Sequence, residues 1–180
     1  MNNSKKLTML VVFFGFSLML FGCSTGQISD QQAKQLIKDY QKIKYQMDDP
    51  KEFTTLDTQE ATFAYIDKRN EKAASFLTEE EHLRFIIDRR AQYATTAADA
   101  NYKVIVKDVT IEKIIVDEKN NNNFTIDYSF TLTFTPTSEK EVIEETHNGK
   151  IELIKNNGAV KIDNESEDIS DSILLKLRPD

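Results

Sequence analysis

The chain has 180 residues, a formal net charge of −7, one cysteine, no tryptophan and two histidines. At roughly 100–200 residues per domain, that length holds one domain and a targeting segment. A lone cysteine excludes an intramolecular disulfide and a thiolate zinc centre, and an acidic balance without a basic block argues against nucleic acid as a partner. Charged residues at 29% and apolar ones at 39% fit a folded globular domain, not a disordered or polytopic membrane chain.

Residues 1–23 differ in character from the rest. Lys5 and Lys6 open the chain with positive charge, and residues 7–21 are apolar except for Thr8, Gly15 and Ser17. This is the n-region and h-region of a secretory signal. As a membrane span it is short, because about 16 residues reach about 24 Å of a hydrocarbon core about 30 Å thick. Its end, Leu20-Phe21-Gly22-Cys23, resembles the lipobox of bacterial lipoproteins. The resemblance implies cleavage between Gly22 and Cys23 and a diacylglyceryl thioether on Cys23, the one thiol of the chain. Two acyl chains anchor stably where a single myristoyl chain is marginal. Processing would remove Lys5 and Lys6 and leave the mature chain more acidic, so the acyl anchor, not charge, holds the domain at an anionic surface. The tether from Ser24 to Ile28 spans at most roughly 17 Å. The expected division is a signal peptide over 1–22, a lipidated tether over 23–29, a folded domain over 30–165 and a tail over 166–180.

Ser29-Asp30-Gln31-Gln32 reads as a capping box. Ala33, Leu36, Ile37, Tyr40, Ile43 and Met47 then recur at helical spacing, so a helix is expected over 30–47, stopped by Asp48-Asp49-Pro50. A second helical stretch lies between Asp57 and Leu77, carrying Ala61, Tyr65 (or Ala64) and Lys68. It is expected to break near Arg69-Asn70 and resume over 71–77. Thr78-Glu79-Glu80-Glu81 is a second capping box, opening a helix to about Thr95 with Leu83, Ile86, Ile87, Arg90 and Ala94 on one face. Arg84, Arg89 and Arg90 sit where the helix dipole favours cations and read as surface charges, not as a phosphate site.

From Asn101 the period changes to two. Tyr102, Val104 and Val106 alternate, then Val109 and Ile111 on the opposite parity, which points to a β-bulge near Lys107-Asp108 or to two strand segments. Residues 117–123 form a polar hairpin tip. Phe124, Ile126, Tyr128, Phe130, Leu132 and Phe134 then face one way, against Thr125, Asp127, Ser129, Thr131, Thr133 and Thr135. One buried and one wet face describe an antiparallel sheet covered by helices on a single side. The six inward side chains are worth ~1.5–3 kcal/mol each. Residues 141–146 and 150–155 give further strand segments, and Asn156-Asn157-Gly158 a hairpin turn into Val160 and Ile162. Residues 165–171 read as an acidic loop, and Ile173, Leu174, Leu175 and Leu177 as a last strand or a docked tail. The expected class is therefore α+β.

Helices followed by long antiparallel strands is the order of the NTF2-like (cystatin-like) superfamily. The stretch from Phe63 to Thr78, with Glu71-Lys72-Ala73-Ala74 before Leu77, resembles that family's passage into its third helix. Val160-Lys161-Ile162-Asp163 resembles its final strand, with Ala159 where members usually carry tryptophan. The resemblance implies a cone in which N-terminal helices pack on one face of a curved antiparallel sheet. It leaves function open, since members include isomerases, dehydratases and non-catalytic envelope modules.

No P-loop, dinucleotide-binding glycine pattern, nucleophile elbow or HExxH occurs. His82 and His147 read as solvated surface histidines, and the acids from Asp163 to Asp171 do not follow calcium-loop spacing. An isomerase-like site needs a carboxylate base and a tyrosine or protonated acid facing the cavity. Tyr65, Tyr102, Tyr128 and Phe130 are candidate cavity-lining residues. Asp127, however, lies on the opposite strand face from Tyr128, and Asp67 off the helix face of Tyr65. No catalytic set, metal site or cofactor site is expected, and whether the protein is an enzyme stays open with the balance against it. The expectation is a lipid-anchored, extracytoplasmic, non-enzymatic interaction or accessory module at the cell membrane, with a protein partner at the envelope. A small-ligand-binding or isomerase-like enzyme using the cone cavity is the alternative, and an immunity or surface-exclusion lipoprotein is another. A homodimer across the threonine-rich strand face also stays open.

Overall fold

Helix α1 covers Asp30–Tyr45, and its start follows from the capping box. The Ser29 hydroxyl accepts from the Gln32 amide at 3.3 Å while the Gln32 side chain accepts from the Ser29 amide at 3.0 Å. The computed structural model describes residues 28–138 and 141–177, so the lipobox readings on Gly22 and Cys23 lie outside the described residues. At its other end α1 stops at Tyr45, and the extended chain pairs Met47 with Val104. The Arg69 guanidinium donates to the carbonyls of Ile43 at 2.7 Å and Gln46 at 2.9 Å, satisfying acceptors the helix end would otherwise leave open.

After Pro50 the chain makes a one-turn helix, α2 (Lys51–Thr54), which has no periodic signal in the sequence. Helix α3 (Gln59–Ala74) runs unbroken through Arg69-Asn70, where a break was expected. The Arg69 side chain is taken up by the end of α1, and the backbone carbonyl of Asn70 meets the His82 ring nitrogen at 2.9 Å. Helix α4 (Glu79–Ile87) ends eight residues earlier than the expected Thr95. Asp88 caps it, Arg89 takes a left-handed backbone with φ of 55°, and α5 (Gln92–Asp99) restarts at a new phase. The phase reset inverts the expected face of α4: Glu81 and Phe85 are buried, while Leu83, Ile86 and Ile87 are exposed. From α5 and the turn before it, Ala91, Ala94, Ala97 and Ala98 are buried in their place.

Four strands follow in the order β1-β2-β3-β4, each antiparallel to the next. They are β1 (Tyr102–Val116), β2 (Asn123–Pro136), β3 (Ile143–Asn156) and β4 (Ala159–Asp168). Strand β1 carries the bulge expected at Lys107-Asp108 and a second between Ile111 and Lys113, and such bulges bend a strand and increase its twist. All six inward residues of β2 are buried, from Phe124 to Phe134. The helices cover this face, α1 lying along β1 and α4 beside β4, so the α+β cone expected from the sequence is the fold observed.

At the C-terminal end the expected acidic loop needs correction, while the docked tail, one of the two alternatives expected there, is present. Residues 165–168 are strand, not acidic loop, because β4 continues to Asp168 against Asn148. The segment beyond is a short helix, α6 (Ile173–Lys176), with Leu174 buried. Glu145 fixes it, accepting from the Ser172 hydroxyl at 2.7 Å and the Ile173 amide at 2.8 Å.

One glycine is dictated by close approach. Gly149 on β3 lies opposite Tyr128 on β2, and a Cβ there would stand 2.6 Å from the Tyr128 hydroxyl oxygen. The Tyr128 side chain lies across the bare backbone. Gly149→Ala is expected to push that ring off its seat and cost about 1–3 kcal/mol. A denaturant titration of the variant beside wild type checks this, with Asn148→Ala as the neighbouring control.

Candidate functional site: a buried charge network

The interior of the cone is not wholly apolar. Helix α1 sends Tyr40, Gln41, Lys44 and Tyr45 inward, one helical face counted as i, i+1, i+4 and i+5. Strand β2 contributes Tyr128, and β4 contributes Glu165 and Glu167, two residues apart and so on one strand face. Glu81 comes from the first turn of α4, and Arg90 from the turn that follows it.

Lys44 Nζ stands 2.7 Å from Glu165 Oε1 and 2.5 Å from Glu167 Oε2, with all three side chains 5% exposed or less. The Tyr40 hydroxyl donates to Glu165 Oε2 at 2.6 Å, the Tyr45 hydroxyl to Glu167 Oε2 at 2.6 Å, and the Tyr128 hydroxyl to Glu167 Oε1 at 2.8 Å. Gln41 Nε2 donates to both glutamates and, at 2.8 Å, to the Tyr128 hydroxyl. Arg90 Nη1 bridges Glu165 Oε2 at 2.9 Å and Glu81 Oε1 at 2.6 Å. Arg84 Nε completes the outer side as an ion pair 2.8 Å from Glu81 Oε2, off the hydrogen-bonding direction. The Gln41 carbonyl oxygen is buried without a partner.

The electrostatics separate the two β4 carboxyls. Burial and the neighbouring Glu167 charge push Glu165 up to about 7, against the pull of Lys44 and Arg90. Burial acts on Glu167 too, but Lys44 and the hydrogen bonds it accepts outweigh it and hold this carboxyl down at about 2. The two titrate as a coupled pair. Burial and the same carboxylates raise Tyr40, Tyr45 and Tyr128 well above their ordinary value, so all three remain protonated donors. Burial alone would lower Lys44, yet Glu165 and Glu167 raise it.

A carboxyl near neutrality beside tyrosines has the makings of general acid–base chemistry. Here every oxygen of Glu165 and Glu167 already holds partners from the chain itself, so these two carboxyls are spent on the network's own members. The network's buried acceptors left without a hydrogen bond are the Gln41 carbonyl oxygen and Glu81 Oε2. Of the residues expected to line a cavity, only Tyr128 belongs to it. Phe130 stacks on Tyr45 with ring centroids 5.5 Å apart, Tyr65 packs on Phe53 at 5.5 Å, and Tyr102 meets Phe134 edge-on at 6.3 Å. Asp127 faces out towards Lys150, as strand parity requires.

Three sequence readings are corrected. Arg90 is not a surface charge but bridges two buried glutamates. His147 is 7% exposed, 3.1 Å from Glu145 and against the Phe130 ring. His82 is half-buried on Asn70. The groove beside His147 is lined by Glu145, Asn148, Asp168, Ser170 and Asp171 and lies outside the network. Among the described residues no group of three or more His, Cys, Asp or Glu is placed to hold a metal, and no helix is long and apolar enough to cross a membrane.

No protein-family model matches the chain, and no curated protein matches it significantly. Solved structures do. The periplasmic domain of DotI is similar at a TM-score of 0.50 and 10% identity, covering 80% of this chain and 98% of that one. A periplasmic fragment of TraM is similar at 0.49 and 7%, covering 78% and 98%. An Ntf2-like protein involved in plasmid conjugation is similar at 0.43 and 7%, covering 76% and 48%. At these identities the likeness is one of fold. The protein is an α+β fold with helices on one face of a four-stranded antiparallel sheet, its interior closed by a charge network.

Proposed function

We propose that this protein is a lipoprotein held by Cys23 on the extracytoplasmic face of the cell membrane, where its NTF2-like domain serves as a non-enzymatic interaction or accessory module. The observation that carries the reading is the network itself. An enzyme of this shape would admit substrate to the interior, and here Lys44, Glu165, Glu167 and the three tyrosines occupy it with one another. Recognition then falls to the outer surface, and a protein is the partner that reads a surface. The anchor fits the same picture: α1 begins at Asp30, so only a few residues separate Cys23 from the first helical turn. The periplasmic domain of DotI is a use of this fold outside the cytoplasm, which is in keeping with the placement.

Cys23→Ala in the native host tests it. Labelled palmitate is expected to be incorporated by wild type and not by the variant. The variant domain should leave the membrane fraction still folded, and the cellular role should be lost. Full function from the released domain, or unchanged membrane retention, would overturn the reading.

A further inference from the structure

We infer that the exposed face of α4 is a self-association surface, occupied by α4 of a second copy in antiparallel, two-fold-symmetric contact. Because the break at Arg89 turns Glu81 and Phe85 inward, α4 presents Leu83, Ile86 and Ile87 outward, 55%, 41% and 75% exposed. They fall at i, i+3 and i+4, one stripe on one helix face. A single exposed aliphatic residue is ordinary, but three on one short helix form a patch that marks a contact surface.

The charges at the two ends of the stripe select the occupant. Glu79 and Glu80 stand at its N-terminal end and Arg89 at its C-terminal end, all exposed. Glu80 has a loose pair with Arg84 at 3.5 Å, while Glu79 and Arg89 have no ion-pair partner among the described residues. An antiparallel second α4 lays Leu83 against the other copy's Ile86, and the reverse, while each acidic end meets the other copy's Arg89. A parallel copy would set like charges side by side. A two-fold axis through the stripe satisfies both copies with one patch, the isologous arrangement. An anionic bilayer is a poorer occupant, because Glu79 and Glu80 would face its negative surface.

The test uses the full-length chain in intact cells. Ile86→Cys places a thiol close to the two-fold axis, and mild oxidation is expected to give a species of twice the chain mass. Val142→Cys, more exposed than Ile86 but on the β2–β3 connection, and wild type, which carries Cys23, should not. Against the Ile86→Cys background, Glu79→Arg or Arg89→Glu alone is expected to lower the yield roughly two- to five-fold, as for an exposed ion pair. The two together should restore it. Cross-linking no higher than the Val142→Cys level, a product of another mass, or a double variant without recovery would each overturn the proposal. Leu83→Cys provides a second reporter should Ile86→Cys fail to fold.

Discussion

Lys44→Met is expected to lower the unfolding free energy by about 3–5 kcal/mol, because it leaves two buried carboxyls without their shared cation. The side chain that goes is nearly isosteric, so little packing is lost. What changes is charge: Glu165 and Glu167 then face each other across a dry interior with Arg90, Gln41 and the tyrosines as their remaining partners. Breaking a buried pair costs more than replacing it whole. Lys44→Met combined with Glu165→Gln and Glu167→Gln is therefore expected to recover most of the loss. The contrast is Lys107→Met, which removes a pair of similar length, 2.7 Å to Glu144, with both side chains at least half exposed. That change should cost little, because solvent already screens an exposed pair. Denaturant titrations of the variants beside wild type decide it. A Lys44→Met loss no larger than that of Lys107→Met would show that the interior is wet and that the network is not its structural centre.

Much of the fold was legible because its signals are local. The Ser29-Gln32 box is complete within four residues, and the β2 alternation needs no partner to be seen. The network was not legible, for two physical reasons. Its hydrogen bonds from α1 to the β4 glutamates join residues more than 120 positions apart, as with Tyr40 and Tyr45, and hydrophobic periodicity says nothing about carboxylates that face inward. Strand parity also misleads on β4. The register slips so that Leu153 pairs with Ile162 but Glu152 with Asn164, leaving Asp163 as an extra residue. Counting by twos from Ile162 therefore sends Asn164 and Ser166 inward, whereas the bulge sends Glu165 and Glu167. A partial signal did exist: Gln41 and Lys44 share the inward side of α1 with Ile37, Tyr40 and Tyr45. The α4 error has a similar origin. The left-handed turn at Arg89 carries no glycine to announce it, so one long helix was the simplest reading of its residues.

The second large effect is on pH dependence, and its sign follows from the two carboxyls. Glu165 titrates in the folded protein at about 7, above the 4.5 of a free glutamate. A raised carboxyl binds its proton more tightly when folded. Its contribution is complete below about 4.5 and is lost as pH rises through about 7. Glu167, held at about 2, works the other way: its contribution is complete above 4.5 and is lost as pH falls towards 2. Each displacement is worth roughly 3 kcal/mol. Wild type is therefore expected to be most stable near pH 5 and to weaken on both sides, the alkaline limb belonging to Glu165. The groups that face Glu165 are Lys44, Tyr40 and Gln41 of α1, Arg90 after α4, and Glu167 on its own strand. Glu165→Gln mimics the protonated carboxyl and should flatten that limb, while Glu167→Gln should remove the acid limb and lower stability at neutral pH. Unfolding free energies measured from pH 3 to pH 8 for the three proteins separate these outcomes. Equal slopes for wild type and Glu165→Gln between pH 5 and pH 8 would mean that Glu165 enters the folded interior already charged, with Lys44 and Arg90 neutralising it fully.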